Sequence, residues 1–217
     1  MSKKSFMIKH AVFGGIYVVL AIFAIVQAIL PAPQSEAVSD AFTTVTSSAV
    51  FGGEPSAVTV LNDTLTFEDF TGFLRKMVGH FGLFHVMALF GFLALYKVIR
   101  TKKIVIIDLS ATILIAGLTE IIQIFVPTRI GSFADVVLDA QGATASVAII
   151  LAIISISAKL KKRRHRKHLV FYVIIPALIF SILFLLFNAE SPYTRFCFVV
   201  YSSICLISTV IVAVTNS

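Results

Sequence analysis

Charged residues are scarce in this chain, and so are cysteines. Only 13% of the 217 residues are charged, whereas 58% are hydrophobic and the mean hydropathy is +0.98. This composition excludes an ordinary soluble domain and indicates an integral membrane protein. Cys197 and Cys205 are eight residues apart in one apolar run, about 12 Å along a helix axis. That separation excludes a disulfide within the helix and favours buried free thiols.

Sustained strand alternation is also lacking, which excludes a membrane barrel built from strands. A spanning helix needs about 20 mostly apolar residues, and the chain contains about six such runs. We therefore predict an all-α polytopic bundle of about six transmembrane helices. The predicted spans are residues 10–30, 78–99, 104–126, 134–157, 169–187 and 196–214.

The basic residues are concentrated on one side of the predicted bundle. Residues 3–9 contain three of them, residues 97–103 four and residues 159–167 seven, which makes 14 of the 18 Lys and Arg residues. Short cytoplasmic loops collect Lys and Arg, so we predict that both termini of this multi-pass membrane protein are cytoplasmic. Topology and anionic headgroups then explain the net charge of +7. The expected partners are membrane lipids and not nucleic acid.

The longest loop, residues 31–76, falls on the extracytoplasmic side by the same argument. Most of it has the composition of a linker, rich in Ser, Thr, Ala and acidic residues. Its end differs, because Thr66 and Asp69 have the spacing of a helix cap and aromatic residues follow at helical spacing. This pattern predicts either an interfacial amphipathic helix or a simple turn with aromatic interface anchors.

Polar residues interrupt the apolar pattern where the second and fourth spans begin, where the third ends, and in the loop between the third and fourth. All these positions face the extracytoplasmic side, and pairs on one helix are three or four residues apart, so they share a face. Ionisable residues at membrane depth face a bundle interior or a wet cavity. We predict that they form one pocket, called here the polar cluster. Its members are Lys76, His80, Glu120, Gln123, Arg129, Ser132, Asp135 and Asp139.

Three roles for the polar cluster are open at this point. In a catalytic role, Glu120 or Asp135 acts as general base and His80 shuttles protons. The remaining members of the cluster then bind the ligand, and Arg129 among them holds a phosphate or carboxylate group. In a binding role, the cluster recognises a ligand without reacting. In a structural role, Arg129 neutralises half-buried carboxylates. No metal or other cofactor is predicted, because the ligand spacing is not characteristic and Arg129 would oppose a cation.

The members of the cluster form one extended motif. It reads Glu120-x-x-Gln123-x-x-x-Pro127-x-Arg129, followed by Ser132, Asp135, Asp139 and Gly142, and preceded by Arg75-Lys76 and His80-Phe81. With this motif the chain resembles the VanZ-like family of bacterial membrane proteins over about residues 73–150. Three features depart from the family pattern. Leu83-Phe84 stands where the family often has Glu-Tyr, Asp139 stands where Asn is common, and the basic pair is shifted by one residue relative to the His.

Hydropathy, charge and the resemblance together predict a domain organisation. The resemblance covers only the core, residues 73–157, with three transmembrane helices. The apolar runs and the basic residues predict a first transmembrane helix over residues 1–30, an extracytoplasmic loop over 31–76 with a possible interfacial helix, and a basic cytoplasmic loop with two further helices over 158–217.

The resemblance also implies a function, because the family is named for a protein that gives low-level resistance to teicoplanin-type glycopeptides. It suggests that the chain is a plasma-membrane protein of a Gram-positive cell envelope. Such a protein would act at the outer leaflet on a lipid-linked cell-wall precursor or a lipophilic glycopeptide. One alternative is a membrane-embedded hydrolase or transferase for a lipid-linked phosphate or glycan, and another is a non-catalytic envelope scaffold. A transporter is disfavoured, because it needs polar residues in the inner halves of the helices as well. Asp108 is the only candidate there, and we interpret it as a charge at the membrane interface.

Overall fold

Helices dominate the structure, a computed structural model that describes residues 3–34, 37, 57–60, 63–66, 75–160, 167–187 and 192–216. We number the long helices in chain order, and α2 begins with a π-helical segment that an α-helix continues. A short 3₁₀ turn, Lys167–Val170, precedes α5. The helices are α1 (Lys3–Ile29), α2 (Arg75–Gly82 and Leu83–Leu95), α3 (Thr101–Ile124), α4 (Phe133–Leu160), α5 (Phe171–Phe187) and α6 (Pro192–Asn216).

Five of these helices, α1 to α4 and α6, are long and apolar enough to cross a membrane, and α5 is a shorter apolar helix of 17 residues. A helix satisfies its backbone hydrogen bonds internally, which a spanning segment in lipid requires. The predicted all-α polytopic bundle is therefore confirmed.

The loop between α1 and α2 contains a small antiparallel hairpin of two strands, β1 (Ala57–Val60) and β2 (Asp63–Thr66). Thr66 lies at the end of β2, where it is aligned with Ala57. An N-cap residue also has an extended backbone, so this conformation is compatible with the predicted cap. The aromatic segment that Thr66 would cap, residues 67–74, lies outside the described residues, and the choice between an interfacial helix and a simple turn stays a prediction.

The turn between α2 and α3 lies a few residues earlier in the sequence than the predicted spans implied. Helix α2 ends at Leu95 and α3 begins at Thr101, and Lys97 in the turn between them adopts a left-handed conformation with φ of 66°. The imidazole of His10 in α1 donates from Nδ1 to the carbonyl oxygens of Leu93 (3.1 Å) and Ala94 (2.9 Å). The last carbonyl groups of a helix have no partner within it; His10 supplies a donor for that of Ala94, while the Leu93 oxygen also accepts from the main-chain N–H of Tyr96.

Helix α4 is the centre of the bundle and packs against α2, α3, α5 and α6. Residues 137–148 of α4 are buried without interruption, as expected of a helix surrounded by other helices. Small residues, among them Ala140, Gly142 and Ser146, allow this close approach. The crossing with α2 is close, because a Cβ atom at Gly142 would collide with the main-chain carbonyl of Phe81.

Helix α1 packs on the outside of α2 and α3. At this contact Asp108 of α3 is only 3% exposed, so its interpretation as an interface charge is wrong. The carboxylate fits there because α2 has a glycine opposite: a Cβ atom at Gly91 would collide with Asp108 Oδ1 and with the ring of Tyr17. Neither oxygen of Asp108 has a hydrogen-bond partner among the described residues.

Candidate functional site

The polar cluster is assembled where α2 and α4 begin and α3 ends. Its outermost contact is an ion pair between the Lys76 ammonium of α2 and the Asp135 carboxylate of α4. Both side chains are partly exposed, at 25% and 13%. The pair connects the first turns of two helices that the sequence separates by nearly sixty residues.

One turn deeper, the same two helices contribute a second pair. His80 Nδ1 is 3.0 Å from Asp139 Oδ1. The Asp139 side chain is 1% exposed, whereas His80 keeps 22% of its surface accessible. The other carboxylate oxygen, Asp139 Oδ2, is buried and has no hydrogen-bond partner among the described residues. The histidine therefore lies between a buried carboxylate and the exterior of the bundle.

Glu120 closes the cluster from the side of α3 and is 5% exposed. Gln123 Nε2, one turn further along α3, donates to Glu120 Oε1 (3.1 Å), and the main-chain N–H of Ser132 donates to Oε2 (2.8 Å). The loop before α4 lies directly against α3, because a Cβ atom at Gly131 would collide with the main-chain oxygen of Glu120. Both oxygens of the glutamate are thus held in fixed positions.

Three side chains of the cluster converge on one point. One nitrogen of His80 and one carboxylate oxygen each of Glu120 and Asp139 lie within 4.8 Å of one another. The three residues come from three different helices, α2, α3 and α4. Seven of the eight predicted site residues therefore form a hydrogen bond or ion pair with another member of the cluster, Ser132 through its main-chain N–H. Three of the seven surround a common centre.

Arg129 connects the loop between α3 and α4 to α1. Its Nε donates to the carbonyl oxygen of Leu30 (3.2 Å) and its Nη2 to that of Gln27 (3.0 Å), both at the end of α1. The neighbouring Thr128 accepts a hydrogen bond from the main-chain N–H of Ala32 (2.9 Å). The cation paired with Asp135 is Lys76, so lysine performs part of the neutralising role that the structural alternative gave to Arg129.

Two polar residues near the cluster were missed by the sequence analysis. His85 of α2 donates from Nδ1 to the carbonyl oxygen of Gly142 (3.2 Å), one step deeper than the His80 pair. Gln141 of α4 is fully buried and donates to the carbonyl oxygen of Phe180 in α5 (3.3 Å). The sequence signal for His85 is weak, because five residues separate it from His80 and residues five apart on a regular α-helix point in different directions. In the structure both histidines contact α4. The first part of α2 is a π-helix, whose hydrogen bonds join residues five apart.

The arrangement has defined chemical capabilities. A histidine hydrogen-bonded to a buried carboxylate can accept or deliver a proton at a bound molecule. The carboxylates accept hydrogen bonds from hydroxyl, amide or ammonium groups. The loop beside the cluster exposes Phe125 (81%) and Ile130 (90%), so large apolar side chains border the polar side chains.

These helices and this site define the class of the protein: a multi-pass membrane protein with a buried polar cluster at one end of its core helices. The model of the VanZ/LLP1 family matches residues 16–156, well over half of the chain, and the protein therefore belongs to the VanZ/LLP1 family. The match runs from within α1 to α4 and includes every member of the polar cluster. Comparisons with curated proteins and with solved structures gave no match.

Proposed function

We propose that this VanZ/LLP1 family protein acts at the outer leaflet of the plasma membrane in a Gram-positive cell envelope. There the polar cluster binds the polar part of a lipid-linked cell-wall precursor or of a lipophilic glycopeptide, and lowers susceptibility to teicoplanin-type drugs. The observation that carries the proposal is the gradient of burial within the cluster. Glu120 and Asp139 are buried, while Lys76 and His80 stay partly exposed above them.

The chemistry of the cluster suits such a ligand. Carboxylates accept hydrogen bonds from the hydroxyl, amide and ammonium groups that lipid-linked glycopeptides and glycopeptide drugs present. A lysine at the rim attracts phosphate as a point charge. Glu120 is already fixed by Gln123 and Ser132, so little side-chain ordering is needed when a ligand binds.

The position at the outer leaflet rests on charge and on apolar exposure. The basic residues gather on the opposite side of the bundle, which the positive-inside rule assigns to the cytoplasm. The exposed side chains of Phe125 and Ile130 suit the boundary between headgroups and acyl chains. A ligand anchored in the outer leaflet would therefore meet the polar cluster at the depth of its own headgroup.

The proposal is tested by teicoplanin susceptibility in a sensitive Gram-positive host that expresses the protein. We compare the wild type with Glu120→Gln, which removes a carboxylate of the cluster, and with Asp108→Asn, the corresponding acid-to-amide change at a buried aspartate outside it. Membrane levels are matched by immunoblot. We expect protection by the wild type and by Asp108→Asn, and none by Glu120→Gln. Equal protection by both variants would show that the cluster is not needed for the function, and a lack of protection by the wild type would refute the resistance role.

An enzymatic role on the same class of ligand is a second candidate, and one specific observation favours it. His80 is hydrogen-bonded to Asp139 while an oxygen of Glu120 lies within the same 4.8 Å group of atoms, an arrangement suited to general acid–base catalysis. The test is hydrolysis or transfer of a lipid-linked phosphate or glycan by the purified protein. We expect His80→Gln to lower turnover by about 100-fold or more, and turnover that is unaffected would exclude this role.

A further inference from the structure

We propose that His80, Glu120 and Asp139 bind a divalent transition-metal ion, for which we take Zn²⁺ as the probe. The inference rests on the polar cluster of the proposed function but adds a metal to it. The first observation is geometric: one potential ligand atom of each side chain lies within 4.8 Å of the other two. Because the ligands come from α2, α3 and α4, such an ion would join the three core helices at one point.

The second observation is an unsatisfied carboxylate oxygen at the same place. Asp139 is 1% exposed, its Oδ1 is 3.0 Å from His80 Nδ1, and its Oδ2 has no hydrogen-bond partner among the described residues. A buried carboxylate oxygen without a partner is unfavourable. A metal ion coordinated by Oδ2, or by both oxygens of this carboxylate, would remove that penalty.

The distances require little movement. Ligand atoms at 2.0 to 2.1 Å from a tetrahedral zinc are about 3.3 Å apart. The His80 to Asp139 separation of 3.0 Å is already close to that value. Glu120 must approach by about 1.5 Å at most if it occupies the far edge of the group. In the metal-bound form, neutral His80 offers the Nδ1 lone pair in place of the present hydrogen bond.

The charges of the cluster suit a divalent ion. Glu120, Asp135 and Asp139 contribute three negative charges when ionised, and Lys76 contributes one positive charge that is paired with Asp135. With His80 neutral, these side chains leave two negative charges, and both belong to the proposed ligands. Arg129 adds one positive charge, and two of its N–H groups donate to carbonyl oxygens of α1. The cluster as a whole therefore keeps one net negative charge, which still favours a cation.

The ligand types narrow the choice of ion. One imidazole nitrogen with two carboxylate oxygens suits Zn²⁺ and similar transition metals, whereas Ca²⁺ and Mg²⁺ prefer oxygen ligands alone. Three protein ligands leave a coordination position open for water or for a ligand, as in catalytic zinc sites. Gln123 and the main-chain N–H of Ser132 each donate a hydrogen bond to one Glu120 oxygen. Side chains that bind metals are usually oriented by such hydrogen bonds.

The experiment measures metal binding directly and does not depend on drug susceptibility. The full-length protein is purified in detergent through a tag without histidine, stripped with a chelator and loaded with Zn²⁺ or with Co²⁺. Zinc content is measured by mass spectrometry, affinity by competition with a chromogenic chelator, and coordination by the visible absorption of Co²⁺. The variants are Asp139→Asn and Glu120→Gln, with Asp108→Asn as the matched control.

We expect one zinc per chain in the wild type and in Asp108→Asn, intense Co²⁺ absorption typical of low coordination, and a rise of the melting temperature with zinc. Asp139→Asn and Glu120→Gln should bind zinc at least about 10- to 100-fold more weakly and lose the thermal shift. Less than stoichiometric zinc in the folded wild type would overturn the proposal, as would equal binding by Asp139→Asn and Asp108→Asn. Failure of the susceptibility test with metal binding intact would instead contradict the proposed function alone.

Discussion

Two regions of the same bundle bury carboxylates, and they surround them differently. In the polar cluster, Glu120 accepts hydrogen bonds from Gln123 and Ser132, and Asp139 is paired with His80. Twelve residues before Glu120, about 18 Å earlier along α3, Asp108 is equally buried, yet neither of its oxygens has a hydrogen-bond partner in the described part of the chain. Burial of a carboxylate therefore does not distinguish the polar cluster from the surroundings of Asp108. The distinguishing feature is that polar groups from several helices converge in the cluster.

The difference follows from position along the helices. The cluster lies where α2 and α4 begin and α3 ends, so main-chain N–H groups that are not used within a helix, such as that of Ser132, can reach a carboxylate. Asp108 lies within a span, where the backbone groups bond to one another. Its neighbours are the bare backbone at Gly91 and the ring of Tyr17.

The comparison is tested most strongly by His80→Ala. This change leaves the buried Asp139 carboxylate without its partner, and we expect it to lower the free energy of unfolding by about 3 kcal/mol. The measurement is thermal unfolding of the detergent-solubilised protein. The double variant with Asp139→Ala removes both partners and should recover about 1 kcal/mol or more of the sum of the single effects. Strictly additive effects would show that the pair is not energetically coupled.

The next largest effect concerns the crossing that brings the paired helices together. Gly142→Ala places a Cβ atom against the Phe81 carbonyl of α2, and we expect about 2 kcal/mol of destabilisation from overpacking. Gly117→Ala in α3 is the matched control, because a Cβ atom there meets no atom within 4 Å. Since alanine favours a helix over glycine by about 1 kcal/mol, the two substitutions should have opposite signs. Equal effects would refute the close crossing at Gly142.

The smallest effect is expected at the isolated carboxylate. Asp108→Asn removes no hydrogen bond that the structure shows, so the free energy of unfolding should change by less than about 1 kcal/mol. Asp139→Asn alters the pair with His80 and should cost more. The same thermal unfolding series measures both variants. A loss of stability at Asp108 as large as that at Asp139 would mean that the two regions do not differ in the way described.

Much of this arrangement is predictable from the sequence. Apolar runs of spanning length predict the helices, and polar residues at consecutive helix ends predict that Lys76, His80, Glu120 and Asp139 meet. The family resemblance is confirmed by a match that extends from residue 16 to residue 156. These conclusions need only the order and the length of the spans.

The pairing inside the cluster is not predictable in the same way. It depends on how closely α2 and α4 approach each other at Gly142 and on the π-helical start of α2. Nothing in the sequence indicates that Arg129 donates to carbonyl oxygens at the end of α1. The proposed metal ligands come from three different helices, so the sequence contains no short motif with the spacing of metal ligands that would predict them.

The central claim is that the polar cluster opens toward the outside of the cell, and side-specific labelling tests it most directly. A cysteine replaces Ile130, which is 90% exposed beside the cluster, or Val98, which is 55% exposed in the turn at the opposite end of α2. Intact cells are treated with a membrane-impermeant maleimide, and the parent protein gives the background from the two native cysteines, both of which are buried. The account predicts labelling of Ile130→Cys and protection of Val98→Cys until the cells are opened. Labelling of Val98→Cys alone would contradict it, because the cluster would then face the cytoplasm.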